Sequence, residues 1–139
     1  MKKHNAYAVW NGSLKEGSGT LTTDSKVFDK TPYTFSGRFE DGTGTNPDEL
    51  IAAANAGCYA MFLSAILGKE GITPESLDVH AIVTMDADKL ELTGSHLILN
   101  AKISDISSEK FLELANFAKD NCPISKSLSI PITLEATLT

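Results

Sequence analysis

Residues 46–63 read Asn46-Pro47-Asp48-Glu49-Leu50-Ile51-Ala52-Ala53-Ala54-Asn55-Ala56-Gly57-Cys58-Tyr59-Ala60-Met61-Phe62-Leu63. They predict the start of a long helix, because Asn46 is a suitable N-cap and Pro47 suits the first turn. The helix is expected to run to about Leu67, where Gly68 would stop it in a left-handed conformation. Since it is apolar on every side, we expect burial on every side, and its polar side chains, Asn55 and Ser64, should seek hydrogen-bond partners there.

The composition is that of one globular domain spanning residues 1–139. Hydrophobic residues make up 42% of the chain and charged residues 22%, and the length suffices for a hydrophobic core. The net charge of −6 argues against nucleic acid and anionic membranes as partners, because neither attracts an acidic surface.

The start of the sequence shows no signal peptide, because no apolar run separates Met1 from the polar Asn11-Gly12-Ser13. The apolar stretch Leu50–Leu67 is somewhat short of the ~20 residues that span a bilayer. We therefore expect a core helix in a cytoplasmic protein. In that compartment two cysteines are more often free or redox-active than structural.

The patterning of apolar residues and turns predicts an α+β fold. Strands are expected at Ala6–Trp10, Thr20–Thr23, Tyr33–Arg38, Leu77–Met85, Leu97–Ile103 and Ile130–Leu138, with a hairpin turn at Lys89–Gly94. A second helix is expected from Ser107 or Ser108 to Asn121, and a short helical turn after Cys122-Pro123. Because one small chain cannot cover a helix that is apolar all round, we expect a homodimer with this helix near its middle.

Cys58 lies deep in the apolar helix, where two interpretations are open. A lone cysteine is most often inert packing, since burial disfavours the thiolate. A reactive Cys58 would need a cation from elsewhere, because it lies about three turns from the helix start. Arg38 is the only arginine among 12 basic residues, and its planar guanidinium can hold a thiolate and a carboxylate together.

Asp48 and Glu49 are the carboxylates that could orient Arg38. At ~100° per residue, Asp48 lies about 80° from Cys58 around the helix axis, whereas Glu49 lies about 180° away. The spacing favours Asp48 as a partner, although acidic residues are also ordinary in a first helical turn.

Cys122 precedes Pro123 at the start of the short helical turn, where backbone amides could stabilise a thiolate. Local physics therefore gives Cys122 the better claim to be an exposed thiolate. The two cysteines fit a disulfide-forming pair, but two unrelated core thiols remain an alternative, since the sequence does not give their separation. The three histidines show no metal-ligand spacing, and no bound cofactor is expected.

Two motifs together resemble the OsmC/Ohr family of osmotically inducible and organic hydroperoxide resistance proteins. They are Thr45–Ala54 followed by Ala56-Gly57-Cys58, and the later Cys122-Pro123. The resemblance covers nearly the whole chain, and the place of Arg38 just before a glycine-rich loop is similar to the OsmC branch. It implies an intertwined homodimer in which antiparallel β-sheets wrap two central helices, with active sites at the subunit interface.

The resemblance also implies a cysteine-based peroxidase that reduces organic hydroperoxides. Cys58 matches the peroxide-attacking cysteine, Cys122 the resolving one, and Arg38 the arginine that stabilises the thiolate. Asp48 occupies the position of a family carboxylate that is usually glutamate, and Glu49 could substitute for it. A Cys58 sulfenic acid would form a disulfide with Cys122, which an external dithiol reduces without metal or cofactor.

Other functions fit the same residues. The chain could be a non-catalytic stress protein that binds a small hydrophobic ligand in a dimer cleft, or a purely structural stress protein. Within the peroxidase interpretation the two cysteines could exchange roles, as the local electrostatics of Cys122 suggest. The apolar helix favours alkyl or lipid hydroperoxides over hydrogen peroxide as substrates, through burial of the organic group.

Overall fold

The computed structural model describes residues 1–139, which form two compact units, Met1–Leu50 and Ile51–Thr139. The elements in chain order are β1 Ala6–Asn11, β2 Ser18–Thr23, β3 Thr31–Tyr33, α1 Phe35–Phe39, α2 Pro47–Lys69, β4 Ser76–Asp86, β5 Glu91–Lys102, α3 Ser108–Asn121, α4 Pro123–Ser127 and β6 Ile132–Leu138. The predicted α+β class is confirmed.

The first unit contains the antiparallel sheet β1–β2–β3. Gly19 of β2 pairs with Trp10 of β1 and with Tyr33 of β3. A Cβ atom at Gly19 would lie 2.6 Å from both aromatic rings. The glycine therefore allows the two rings to meet across the sheet, with centroids 5.4 Å apart.

The strand predicted over Tyr33–Arg38 is wrong beyond Tyr33, because residues 35–39 form helix α1. Thr34 caps this helix, and its Oγ1 accepts a hydrogen bond from the Gly37 amide at 3.2 Å. Phe35 and Phe39 are four residues apart and stack with ring centroids 4.8 Å apart. The capping threonine and the helical spacing of the aromatic pair outweigh the strand preference of the individual residues.

The second unit contains the sheet β4–β5–β6. Strands β4 and β5 form an antiparallel hairpin, whose turn lies at residues 87–90 rather than at the predicted Lys89–Gly94. Asp86 closes this turn, since its Oδ1 accepts hydrogen bonds from the amides of Asp88 and Lys89.

Strands β5 and β6 pair in parallel, with Leu97 opposite Leu134, so the expectation of antiparallel sheets is wrong for this pair. The chain between them forms α3 and α4, and a crossover through helices returns the next strand in the same direction. Helix α3 begins as predicted, because the Ser107 Oγ accepts a hydrogen bond from the Lys110 amide at 3.1 Å.

The core of the second unit lies between this sheet and its helices. The alternation predicted for β5 and the apolar stripe predicted for α3 are both confirmed by burial. The buried hydrophobic side chains are Tyr59, Leu63, Ile66, Leu67, Leu97, Leu99, Ala101, Ile103, Phe111, Leu114, Ala115, Ala118 and Cys122.

Helix α2 ends at Lys69, two residues beyond the predicted end at Leu67. Gly71 adopts the left-handed conformation, with φ of +75°. Its amide donates to the Gly68 carbonyl at 3.0 Å, and the Ile72 amide donates to the Leu67 carbonyl at 2.9 Å. This double closure is a Schellman motif centred on Gly71, so Gly68 stays inside the helix.

One face of α2 is exposed in the single chain, so burial on every side would require a second copy of the chain, as the sequence predicts. The exposed residues are mostly small: Ala53, Ala54, Gly57, Met61, Ser64, Ala65 and Gly68. The sequence suggested that the apolar stretch is too short to span a bilayer. The helix has 23 residues and a mean hydropathy of 1.8 in its most apolar stretch, so it is long and apolar enough to do so. Core helices of soluble proteins meet the same two criteria of length and composition.

Candidate active site

Cys122 sits at the junction of α3 and α4 and is fully buried. It caps α4, and Pro123 occupies the first helical position, where its missing N–H costs nothing. The Ser125 amide donates to the Cys122 sulfur at 3.4 Å. The predicted helical turn is confirmed, but the thiol is enclosed rather than exposed because α3 and α2 pack around it.

Cys58 is partly exposed on α2 and packs against the same core as Cys122. Both cysteines are free, and they lie near enough to each other for Cys122 to raise the pKa of the Cys58 thiol. Their nearness favours a disulfide-forming pair over two unrelated core thiols. The two cysteines are 64 residues apart in the chain and are brought near each other by packing, which spacing in the sequence could not reveal.

Backbone groups in the first turn of α4 interact with both cysteines. The Ile124 backbone interacts with Cys58, while the Ser125 amide donates to Cys122. Burial raises the pKa of the Cys58 thiol, the Ile124 amide lowers it, and the neighbouring Cys122 raises it again. Because burial is the largest of these effects, the second unit by itself favours the protonated thiol of Cys58.

A buried chain of hydrogen bonds ends on Cys122. Ser95 Oγ donates to Asn55 Oδ1 at 2.7 Å, and Asn55 Nδ2 donates to Ser125 Oγ at 3.0 Å. Ser125 Oγ lies 3.0 Å from the Cys122 sulfur. The sequence marked Asn55 as a polar residue in need of a partner, but it gave no signal for Ser95, and Ser125 could be suspected only from its place three residues after the cysteine.

Arg38 and Asp48 are the two predicted site residues of the first unit, and they form an ion pair. Arg38 Nη2 lies 3.2 Å from Asp48 Oδ1, and Arg38 Nε lies 3.4 Å from Asp48 Oδ2. The Asp48 side chain is only 12% exposed, whereas Glu49 is exposed and does not take its place. The shorter carboxylate reaches the guanidinium because Asn46 Nδ2 ties the start of α2 to the Gly37 carbonyl of α1 at 3.0 Å.

An aromatic cavity of about 480 Å³ lies beside this ion pair in the first unit. The rings that line it come from β1, β3 and α1, and Arg38 also lines it, with its guanidinium 5.2 Å from the Phe39 ring. The lining residues are Trp10, Gly12, Leu14, Tyr33, Thr34, Phe35, Arg38, Phe39 and Pro47. The cavity can hold an apolar group next to a fixed cation.

Two adjacent free thiols, one of them at a helix cap, define a two-cysteine redox site on an α+β fold. The chain belongs to the OsmC-like protein family, whose profile matches residues 40–136. It is 40% identical over 133 residues to the peroxiredoxin OsmC of Escherichia coli strain K12, covering 94% of this chain and 93% of that protein. It is 32% identical over 113 residues to the organic hydroperoxide resistance protein OhrB of Bacillus subtilis strain 168, covering 79% and 81%.

The fold is also similar to that of a solved structure. The OsmC-like protein from Mycoplasma pneumoniae superposes with a TM-score of 0.76, covering 99% of this chain and 98% of that one at 19% identity. At this identity the similarity concerns the fold. The family predicted from the two cysteine motifs is confirmed.

Proposed function

We propose that the protein is a cysteine-based peroxidase that reduces organic hydroperoxides to alcohols in the stress response. Its enzyme class and its substrate class follow those of its relatives, a peroxiredoxin and an organic hydroperoxide resistance protein. The predictions of class and substrate are confirmed at that level. The observation that carries the proposal is the nearness of the two free thiols, Cys58 and Cys122, which pack against the same core.

The first step uses Cys58, the more exposed thiol. Its thiolate attacks the terminal oxygen of the hydroperoxide, an S–O bond forms, and the O–O bond breaks. The alkoxide leaves and takes up a proton to become the alcohol, and Cys58 becomes a sulfenic acid. This attack requires the thiolate form of Cys58, which burial of the side chain disfavours.

Arg38 supplies the missing cation in this proposal. Its guanidinium is always charged, and Asp48 fixes its plane through two contacts. A positive charge beside Cys58 would offset the burial that raises the pKa of its thiol. The aromatic cavity next to Arg38 accommodates the organic part of the peroxide, which explains a preference for alkyl or lipid hydroperoxides.

The second step uses Cys122. Its sulfur attacks the Cys58 sulfenic acid, a disulfide forms, and the hydroxide that leaves combines with a proton to form water. An external dithiol then reduces the disulfide by thiol–disulfide exchange. No metal or bound cofactor enters either step.

The proposal includes a cytoplasmic homodimer in which residues 1–139 act as one functional domain. The exposed face of α2 supports the dimer, because its small residues allow a second helix to approach closely and bury apolar surface. Met61 on this face is 77% exposed in the single chain. Size-exclusion chromatography with light scattering should give about twice the 14.9 kDa chain mass.

Met61→Asp tests this interface, and we expect it to yield a monomer at micromolar concentration. Leu90→Asp is the matched control, because Leu90 is 72% exposed on a hairpin turn. A monomeric wild-type protein, or equal behaviour of the two variants, would contradict the proposed interface.

The catalytic proposal is tested with cumene hydroperoxide and dithiothreitol. We expect Cys58→Ser to abolish turnover and Cys122→Ser to retain one oxidation of Cys58. Dimedone should label Cys58 in the Cys122→Ser protein. Labelling of Cys122 in Cys58→Ser would reverse the two roles. Turnover that is unchanged in both variants would favour the non-catalytic ligand-binding alternative.

A further inference from the structure

The buried polar chain on Cys122 has no counterpart on Cys58. Asn55, Ser95 and Ser125 are all at most 6% exposed, and each of them is satisfied by another member of the chain. A polar network of this kind inside an apolar core costs desolvation free energy, which hydrogen bonds must offset. Its end point, the Cys122 sulfur, is one of the two atoms that form the proposed disulfide.

The direction of the hydrogen bonds determines what Ser125 can offer. Ser95 donates to the Asn55 carbonyl oxygen, so the Asn55 amide nitrogen faces Ser125 and donates to its oxygen. In the thiol state the Cys122 S–H donates to Ser125 Oγ at 3.0 Å. Once Cys122 is a thiolate it can only accept, and the Ser125 hydroxyl, whose oxygen still accepts from Asn55, can donate its proton along the same line. A hydroxyl that accepts one hydrogen bond becomes a stronger donor in the next.

We infer that Ser125 is a catalytic residue of the disulfide steps, donating its hydroxyl to the Cys122 thiolate, and that Asn55 and Ser95 are positioning residues that aim this hydroxyl. The inference rests on the proposed function. It assigns to the buried chain a task in resolving and releasing the disulfide, separate from the attack on peroxide at Cys58.

The burial of the two cysteines determines which sulfur of the disulfide the reductant attacks. Cys122 is fully buried, whereas Cys58 is partly exposed. The thiolate of an external dithiol therefore attacks the Cys58 sulfur, a mixed disulfide forms there, and Cys122 leaves as a thiolate. The second thiol of the reductant then displaces Cys58, so the dithiol becomes oxidised and both protein thiols are restored. A hydroxyl that donates to the departing Cys122 sulfur lowers the barrier of the first exchange.

The same donor acts in the forward direction. When Cys58 is a sulfenic acid, the Cys122 sulfur attacks as a thiolate, and the proton that it gives up combines with the hydroxide that leaves Cys58 to form water. The Ser125 hydroxyl then changes from accepting the S–H hydrogen to donating its own, without any movement of heavy atoms. The Cys122 thiolate is thus stabilised at a fully buried position.

The experiment measures three rates in Ser125→Ala: Cys58 oxidation by cumene hydroperoxide, disulfide formation followed by acid quench and mass spectrometry, and disulfide cleavage by dithiothreitol. A charge-assisted hydrogen bond predicts that both disulfide steps slow by about tenfold while Cys58 oxidation changes less than about twofold. The pH of half-maximal disulfide formation should also move upward. Ser125→Thr keeps the hydroxyl and should restore both disulfide steps.

Ser127→Ala is the matched control, because Ser127 lies in the same short helix but is exposed and bonds only to the Ile124 carbonyl. It should leave all three rates unchanged. Ser95→Ala removes a hydroxyl two hydrogen bonds from the sulfur, and a slowing of about threefold is expected if the chain aims Ser125. Circular dichroism establishes that each variant is folded.

Equal slowing of all three rates in Ser125→Ala, or no slowing of the disulfide steps, would overturn the inference. Diamide forms the disulfide without peroxide, so its cleavage by dithiothreitol can be measured even if the peroxidase proposal fails. In that event, slow cleavage in Ser125→Ala alone would support the role of Ser125 and reject only the peroxidase function.

Discussion

The two units of the chain carry different parts of the proposed chemistry. The first unit holds the fixed charge and the apolar cavity, since Arg38 is paired with Asp48 beside a cluster of aromatic rings. The second unit holds both thiols, a helix amide for each sulfur and the buried polar chain on Cys122. In the proposed function, the first unit supplies the positive charge and binds the organic part of the substrate, and the second unit forms and exchanges the disulfide.

The comparison of the two units shows two separate requirements of the proposed reaction: the two sulfurs must lie near each other, and Cys58 must become a thiolate. The second unit brings two sulfurs together, but burial raises the pKa of Cys58 and so disfavours its attack on peroxide. Nothing in that unit supplies a positive side chain to Cys58. In the proposed function, attack on the peroxide therefore requires Arg38 of the first unit, whereas disulfide exchange uses residues of the second. Variants in each unit should affect different steps.

The largest effect is expected from Arg38→Met. An opposite charge lowers the pKa of a neighbouring acid by about 1–3 units, so its loss should reduce Cys58 oxidation at pH 7 about 100-fold. Because the pKa of Cys58 then rises further, the rate should recover as the pH is raised. Stopped-flow oxidation by cumene hydroperoxide between pH 6 and 10 measures this.

Lys3→Met is the control for Arg38→Met, because it removes an exposed positive charge from the same unit. It should change the oxidation rate little. In Arg38→Met, cleavage of a diamide-formed disulfide by dithiothreitol should be nearly normal. If cleavage slows as much as oxidation, the division of labour between the units is wrong.

A smaller effect is expected from Asp48→Asn. The variant keeps one contact to Arg38 but loses the charge-assisted pair, which should lower kcat/KM for cumene hydroperoxide about tenfold. Asp48→Glu restores the charge and should recover most of the loss. Glu49→Gln changes the adjacent, exposed carboxylate and should have little effect. Equal losses at both positions would show that the general negative charge of the helix start matters rather than the pair.

Trp10→Ala tests the cavity of the first unit. Removing the indole should lower kcat/KM for cumene hydroperoxide while leaving that for hydrogen peroxide nearly unchanged, because only the organic substrate buries apolar surface there. The selectivity ratio should fall by roughly fivefold to tenfold. A parallel loss for both peroxides would indicate damage to the site rather than to substrate recognition.

The smallest effect concerns stability of the second unit. The Tyr59 hydroxyl is buried and donates to the Ala115 carbonyl at 3.0 Å, so Tyr59→Phe should destabilise the protein by about 1 kcal/mol in urea titration. Burial, followed by the charge of Cys122, raises the pKa of Tyr59 above its ordinary value. The unfolded chain therefore ionises first, and this contribution to stability is lost as the pH rises above about 10. Tyr59→Phe should show a weaker loss at that pH, whereas an equal loss would exclude Tyr59 as its source.

The fold was predicted best where the signal is local. The cap at Ser107, the apolar stripe of α3 and the alternation in β5 all depend on residues within a few positions of one another. The prediction was wrong where a nearby signal competes. Residues 35–39 have strand-like patterning but form helix α1, because Thr34 caps it. Helix α2 continues past Gly68 because the hydrogen bonds that close it are made by the amides of Gly71 and Ile72. The direction of β6 depends on the crossover through α3 and α4, which the alternation of residues does not encode.

The sequence by itself determined the family, the long apolar helix and the residue types of the site, because these follow from composition, helical spacing and two short motifs. The tertiary structure alone decided that Cys58 and Cys122 lie near each other and that Ser95, Asn55 and Ser125 form one chain, and it turned the preference for Asp48 over Glu49 into an observed ion pair with Arg38. Hydrogen bonds and pKa shifts depend on distances of a few ångströms between residues far apart in the chain. Only packing sets those distances.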